Sequence, residues 1–281
     1  MKKQYILLFL CIGYLSACNP DLDYSVRGYS QKIIVEGKIE SGKYPEVYLS
    51  LNVPLTTDVD SATILDYVIR YAKVTVSDGE TTEILTSKWV KGSFPPYVYK
   101  CTEIVGREGR TYDLKVEYSG YTIYSTTTIP TGFEIESVEI APTLNDSLRS
   151  ISLKINVDNH KKNSFRIFTK KRKDKRYIVT PQLFNESFQL SGLQRFNVSP
   201  YPMLTDPSYL EGNNFVVGDS VDIKVCMIDS VSTLFFKDLM FSVQTGKFFV
   251  SEVKALNSNI TEPGFGIWYG NSVRSVRMLI K

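Results

Sequence analysis

From about residue 31 onward, apolar side chains recur at every second position, and this period narrows the folds open to the chain more than any other feature. Ile33, Val35, Gly37 and Ile39 share one face, while Glu36 and Lys38 point the other way. Val47, Leu49, Leu51 and Val53 repeat the pattern, with Tyr48, Ser50 and Asn52 outward. Val74 and Val76 run into Ser77-Asp78-Gly79-Glu80, whose Asp-Gly suits a tight hairpin, and Ile84 falls on the return strand. Tyr112, Leu114, Val116 and Tyr118 line a further strand, which Ser119-Gly120 turns toward Tyr121 and Ile123. Short antiparallel hairpins with one apolar face predict a mainly β fold of immunoglobulin- or fibronectin-like sandwiches.

Thr128-Ile129-Pro130-Thr131-Gly132 interrupts the alternation and predicts a boundary, with two tandem antiparallel β-sandwich domains at 31–130 and 131–281. In the second, Ile151, Leu153, Ile155 and Val157 alternate, then Phe165 and Ile167, then Val221, Ile223, Val225 and Met227. Residues 181–218 are rich in Pro, Asn, Ser and Gly and read as a long connection with at most a short Phe188–Leu190 strand. One segment has helical spacing: Val231, Leu234, Phe235, Leu239 and Val243 follow the N-cap residues Asp229 and Ser230 and precede Gly246, which predicts a helix near 231–245. Val276, Met278 and Ile280 predict a terminal strand.

Composition matters mainly for what it excludes. A chain that is 43% hydrophobic and 22% charged is not disordered. Thirty-three basic against thirty acidic residues, a net +3, gives no electrostatic footprint for nucleic acid. A single histidine, His160, and four cysteines exclude a His-rich metal site and a disulfide scaffold. His160 lies in the polar stretch Asp158-Asn159-His160-Lys161-Lys162-Asn163 and reads as an exposed hairpin residue. There is no Gly-x-Ser-x-Gly elbow, Walker loop or metal-binding His pair. The sequence nominates no catalytic residue, metal or cofactor, and the expectation is a protein without enzymatic activity.

The amino terminus carries an address. Lys2 and Lys3 precede an apolar stretch, Tyr5 to Leu15, too short for the roughly 20 residues that a bilayer demands. Leu15-Ser16-Ala17-Cys18 then places small residues before a cysteine, as in a bacterial lipobox. The reading is a signal peptide at 1–17, lipidation of Cys18 and a tether over 18–30. Several acyl chains at about 0.8 kcal/mol per buried methylene hold such a chain in the outer membrane. Asp21 and Asp23 hint at surface export, and Pro20 and Leu22 interrupt that run, so the membrane face stays open. Cys101 and Cys226 remain in the mature chain, either as a pair in an oxidising compartment or as buried thiols in strands.

Two kinds of surface stand out. Lys170, Lys171, Arg172, Lys173, Lys175 and Arg176 surround one acid, Asp174. This run is either a solvated hairpin tip or a contact for lipid phosphates, anionic polysaccharide or an acidic partner loop. Aromatics in loop-like contexts are candidate partner contacts: Phe94 and Tyr97 around Pro95-Pro96, Tyr201 between prolines, and Phe265, Trp268 and Tyr269 in a Gly-rich segment. The alternative for these is packing over the ends of the sheets. Four Asp-Ser pairs, at Asp60, Asp146, Asp219 and Asp229, match a short O-glycosylation acceptor pattern.

Several segments in fixed order resemble a known family. They are the lipobox, Lys32-Ile33-Ile34-Val35-Glu36-Gly37-Lys38-Ile39, Tyr44-Pro45-Glu46-Val47-Tyr48-Leu49-Ser50, and Ala72-Lys73-Val74-Thr75-Val76. Gly109-Arg110-Thr111-Tyr112-Asp113-Leu114-Lys115-Val116, Thr126-Thr127-Thr128-Ile129-Pro130, Asn259-Ile260 and Pro263-Gly264-Phe265-Gly266-Ile267-Trp268 complete the set. Together they resemble the Bacteroidetes lipoproteins grouped as domain of unknown function 4249. The resemblance implies an envelope lipoprotein associated with TonB-dependent β-barrel transporters, and it carries over no catalytic residue. The expected function is a non-enzymatic accessory subunit of such a transporter or another envelope complex. The alternative is a surface module that binds glycan or protein.

Overall fold

The computed structural model describes residues 30–53, 60, 62–157, 164–183, 192–200, 214–244 and 256–281. Cys18, His160, Tyr201, Gly246 and the Phe188–Leu190 strand lie outside them. Among the described residues the chain is mainly β, with fifteen strands and one α-helix. The first hairpin, β1 (Ile33–Glu40) and β2 (Glu46–Leu51), buries Ile33, Val35, Ile39, Val47 and Leu49 on one face, as the alternation predicts. β3 (Lys73–Ser77) and β4 (Thr82–Trp89) form the second, and β5 (Tyr97–Lys100) returns from β4. β6 (Thr111–Tyr118) and β7 (Tyr121–Thr128) meet at Ser119 and Gly120, with φ of 50° and 83°. Two successive positive φ angles match the twist of the flanking strands, which explains why Ser-Gly turns the chain here.

β8 (Phe133–Pro142), β9 (Leu148–Val157), β12 (Gly192–Val198) and β13 (Phe215–Val216) make a four-stranded sheet in which β9 pairs with the other three. The remaining elements are β10 (Ser164–Lys171), β11 (Ile178–Leu183), β14 (Ser220–Ile228) and β15 (Gly264–Leu279). They join an open eleven-stranded path in the order β11-β10-β14-β15-β1-β2-β5-β4-β3-β6-β7. β15 is the hinge of this path. Its first half pairs with β1, from Gly264 opposite Ile33 to Asn271 opposite Glu40, and its second half pairs with β14. The β1–β15 ladder is parallel, a departure from the all-antiparallel expectation. The path also folds over. The Trp268 indole on β15 donates to the Tyr112 carbonyl on β6 at 3.0 Å, and the Gly270 amide donates to Thr127 Oγ1 on β7 at 2.9 Å.

Two main cores result. The first gathers residues from Ile33 to Ile129 and adds Ile260 and Trp268 from near the carboxyl end. The second runs from Phe133 to Ile280, so the chain passes from one core to the other between Ile129 and Phe133. The helix α1 (Ser230–Gln244) begins where the cap residues predict, since Asp229 Oδ1 accepts from the Ser232 amide at 2.8 Å. Its Phe235 buries against Ile228, Ile267 and Tyr269 on the outer face of the large sheet.

Three strands escape the period-two pattern for physical reasons. β8 carries a register shift between Ile135 and Ser137, so its inward residues slip phase from Phe133 and Ile135 to Val138 and Ile140. β12 places the polar Gln194 among its less exposed positions and leaves Leu193 half in solvent. In β15, residues 266–272 are buried without alternation, because side chains on both faces are covered.

Cys101 and Cys226 are both free and buried. Burial pushes the Cys101 thiol up to about 12 and the Cys226 thiol up to about 11. Neither position is expected to react with iodoacetamide at about pH 8 in the folded chain, and both are expected to react in urea. Peptide masses check this, and labelling of either position before denaturation contradicts the burial.

Candidate functional site

The β4–β5 hairpin presents an aromatic end face. Trp89 closes β4 and Tyr97 opens β5; they are ladder partners, with ring centroids 5.1 Å apart and planes at 77°. The hairpin is closed by the Val90 amide donating to the Pro96 carbonyl at 2.7 Å. Beside it, the buried Tyr99 hydroxyl donates to the Ile69 carbonyl at 3.1 Å and accepts from the Ala72 amide at 3.0 Å. That pair of bonds fixes the short segment carrying Arg70 and Tyr71. The Arg70 guanidinium carbon lies 5.7 Å from the ring centroids of both Tyr71 and Tyr97, within cation–π range. Tyr71 is 87% exposed, and Trp89 and Phe94 are each 57% exposed. Large aromatics held in the open by specific contacts are what a binding surface requires.

Around the corner of the sheet lies a cationic cleft of about 450 Å³, lined by Lys38, Glu40, Lys43, Glu46, Lys100 and Lys224 with Tyr44 and Gly42 at its edge. Cross-strand register assembles it: Lys38 opposes Glu46, and Glu46 opposes Lys100. Glu40 Oε1 accepts from Lys224 Nζ at 2.6 Å, and its other oxygen accepts from Lys43 Nζ at 2.9 Å. Glu46 is bridged by Lys38 at 3.2 Å and also by Lys100. Burial alone would raise the Glu40 carboxyl, but the bonds from Lys224 and Lys43 and the charge of Lys38 outweigh it and hold the group at about 2. Burial would likewise lower the Lys38 ammonium. Tyr269 and the carboxylates of Glu46 and Glu40 reverse that and keep it above the ordinary lysine value. Four ammoniums therefore meet two carboxylates in one concavity.

The basic run predicted as an anionic contact forms the end of β10 and the turn into β11. Lys170 and Lys171 are partly buried in the strand, while Arg172, Lys173, Lys175 and Arg176 are exposed on the turn. Asp174 organises that turn by accepting from the Lys171 amide at 2.8 Å. Lys170, Lys171 and Arg172 line a second hollow of about 310 Å³ with Ser220, Asp222 and Arg277. The structure brings two predicted groups together. Arg176 Nη2 lies 3.7 Å from the point where a Gly92 side chain would begin, so the basic turn reaches the tip of the hairpin that carries Phe94. Tyr177, next in the chain, sits within 5.8 Å of both Lys170 and Lys224 and joins the turn to the cleft.

Other predicted contacts fall elsewhere. Trp268 is fully buried and Tyr269 only 6% exposed, so both are withdrawn from partner contact. Trp268 fills the first core and Tyr269 packs under α1, its ring 5.0 Å from that of Phe236. Phe265 is partly buried in β15. Conversely, Arg70, Tyr71, Trp89 and the cleft lysines were not nominated by the sequence. The outward phase of Glu36, Lys38 and Glu40 was visible there, but the approach of Lys224 on β14 was not. Among the described residues, no group of three or more His, Cys, Asp or Glu side chains is placed to hold a metal ion, and no helix is long and apolar enough to cross a membrane.

These features define a mainly β protein whose prominent surfaces are an aromatic end face and a cationic cleft. The chain belongs to the family described as domain of unknown function 4249, whose profile matches residues 17–277. No curated protein matches the sequence. Among solved structures, it is similar to a DUF4785 family protein from Legionella pneumophila at 13% identity and a TM-score of 0.21, covering 69% of this chain and 50% of that one. The chain thus spans about half the length of the Legionella protein. A titin fragment matches at 10% identity and a TM-score of 0.20, covering 72% of this chain and 91% of that one. Likenesses at this level establish neither a shared topology nor a shared activity.

Proposed function

We propose that this chain is a lipid-anchored envelope protein, built of two β-sandwich modules, that acts by contact as an accessory subunit of an outer-membrane β-barrel transporter of the TonB-dependent class. The signal peptide and lipobox ending at Cys18 support the anchor. The observation that carries the contact reading is the exposed cluster of Tyr71, Trp89 and Phe94, clamped through Arg70 and Tyr97. Rings this exposed contribute little to folding, whereas burying them against a partner removes large apolar area from water. The same rings suit stacking on a sugar, which favours the second reading, a glycan-binding surface module.

A double variant, Trp89→Ala with Phe94→Ala, separates the two. In a mild-detergent capture from native membranes it is expected to recover at least about tenfold less β-barrel protein than the wild type. Its unfolding free energy is expected to stay within about 0.5 kcal/mol of wild type, because both side chains are exposed. Undiminished recovery of the barrel sinks the contact assignment. Saturable binding of envelope glycan by the wild-type chain, lost in the variant, favours the second reading instead.

A further inference from the structure

We propose that the cleft between β1, β2, β5 and β14 binds a small anionic saccharide, a sugar carrying a phosphate or carboxylate group. The site is independent of whatever the aromatic face meets. Its charge is the first argument. Lys38, Lys43, Lys100 and Lys224 converge on Glu40 and Glu46, so two carboxylates orient four ammoniums and leave positive charge in excess within one concavity. An ammonium carries three N–H donors, and a single carboxylate oxygen takes one of them. The carboxylates fix where the ammoniums sit and leave donors to turn toward a ligand.

Rigidity is the second argument. The side chains of Glu40 and Lys224 are only 6% and 13% exposed, so the floor is built into the sheet and not assembled from loose surface lysines. A flexible lysine pays side-chain entropy on binding; one already tied to a buried carboxylate pays less. The third argument is size and lining. About 450 Å³ falls in the range of small-molecule sites and is closed to a protein segment of any length. Tyr44, 47% exposed, lines the opening, and Tyr177 and Phe168 flank the Lys224 ammonium at 5.7 and 5.3 Å from their ring centroids. Aromatic faces beside ammoniums match a ligand with a ring at one end and a negative group at the other. The cations lining the cleft are all lysines, point charges that accept a tetrahedral phosphate as readily as a carboxylate. A polyanion would instead meet the convex basic turn at Arg172 to Arg176.

Calorimetric titration of the detergent-solubilised full chain with glucose 6-phosphate, inorganic phosphate and glucose tests the proposal. Glucose 6-phosphate is expected to bind saturably at one per chain and about tenfold more tightly than inorganic phosphate, with glucose giving no signal. The double variant Lys43→Gln with Lys100→Gln is expected to weaken glucose 6-phosphate about tenfold or more. These two side chains are 61% and 36% exposed, and an unchanged thermal midpoint shows that the fold is intact. A second variant, Tyr44→Ala, is expected to weaken the sugar phosphate and leave inorganic phosphate unaffected. Absence of saturable binding by both anions, or full affinity in the lysine variant, overturns the site. Equal affinity for phosphate and sugar phosphate overturns the saccharide assignment, since the ligand is then a free anion.

Discussion

Replacing Trp268 by alanine is expected to cost about 4 kcal/mol of folding stability, the largest effect of any single substitution considered. The side chain is fully buried, and its ring lies against Gly37, where an added Cβ would meet the Trp268 ring carbon at 2.7 Å. Its indole donates to the Tyr112 carbonyl at 3.0 Å, which ties β15 to β6 across the first core. Asn259 clamps the same residue from behind, accepting from the Trp268 amide at 3.0 Å and donating to its carbonyl at 2.7 Å. Truncation would leave a large cavity and an unpaired carbonyl at the place where the parallel β1–β15 ladder crosses the core. Domains of ordinary stability hold about 5–15 kcal/mol in total, so the variant would stand near the edge of folding. Urea unfolding followed by circular dichroism measures the loss. Trp268→Phe, which keeps a ring and gives up the hydrogen bond, is expected to lose less. A shift below about 1 kcal/mol for alanine would contradict the packing assigned to this residue.

Glu40→Ala is expected to cost about 3–5 kcal/mol for a different reason, since it leaves the Lys224 ammonium buried without its partner. The bond spans 184 residues and joins β1 to β14, so it also ties the two halves of the large sheet together. The carboxyl sits at about 2 in the folded chain against 4.5 unfolded, a depression that contributes about 3 kcal/mol once the group is ionised. The sign follows from that direction. The contribution is fully present above 4.5 and is lost as pH falls from 4.5 toward about 2. Glu46 and Glu108 are held low as well, so acid weakens the wild type through several groups. The difference between wild type and Glu40→Gln isolates this one. That difference is expected to shrink through the same window, and a constant gap would show that the charge of Glu40 is not what matters.

Much of the fold was legible because half of each strand faces water. In β1 and β2 the inward Ile33, Val35, Val47 and Leu49 alternate with outward polar residues, and the Asp229 cap marks the start of α1. Legibility failed where that condition failed. Ile267, Trp268 and Tyr269 have covered neighbours on both faces, so consecutive apolar residues in a Gly-rich stretch looked like a contact loop when they are a central strand. Gly266, at φ +129° and with the Val35 carbonyl oxygen 2.0 Å from where its Cβ would be, permits the close approach of β1. Nothing local in the sequence announces that approach. Of the candidate surfaces, Phe94 and Tyr97 were visible from the prolines between them. The cleft was not, because Glu40 and Lys224 become neighbours only through the pairing of β15 with both β1 and β14.

The full chain, tagged at its carboxyl end and purified from native membranes in mild detergent, tests the envelope assignment most directly. The predicted result is an amino-terminal peptide whose mass carries acyl chains on Cys18, eluting with a β-barrel protein in fixed ratio. An unacylated chain recovered alone from the cytosol would contradict it.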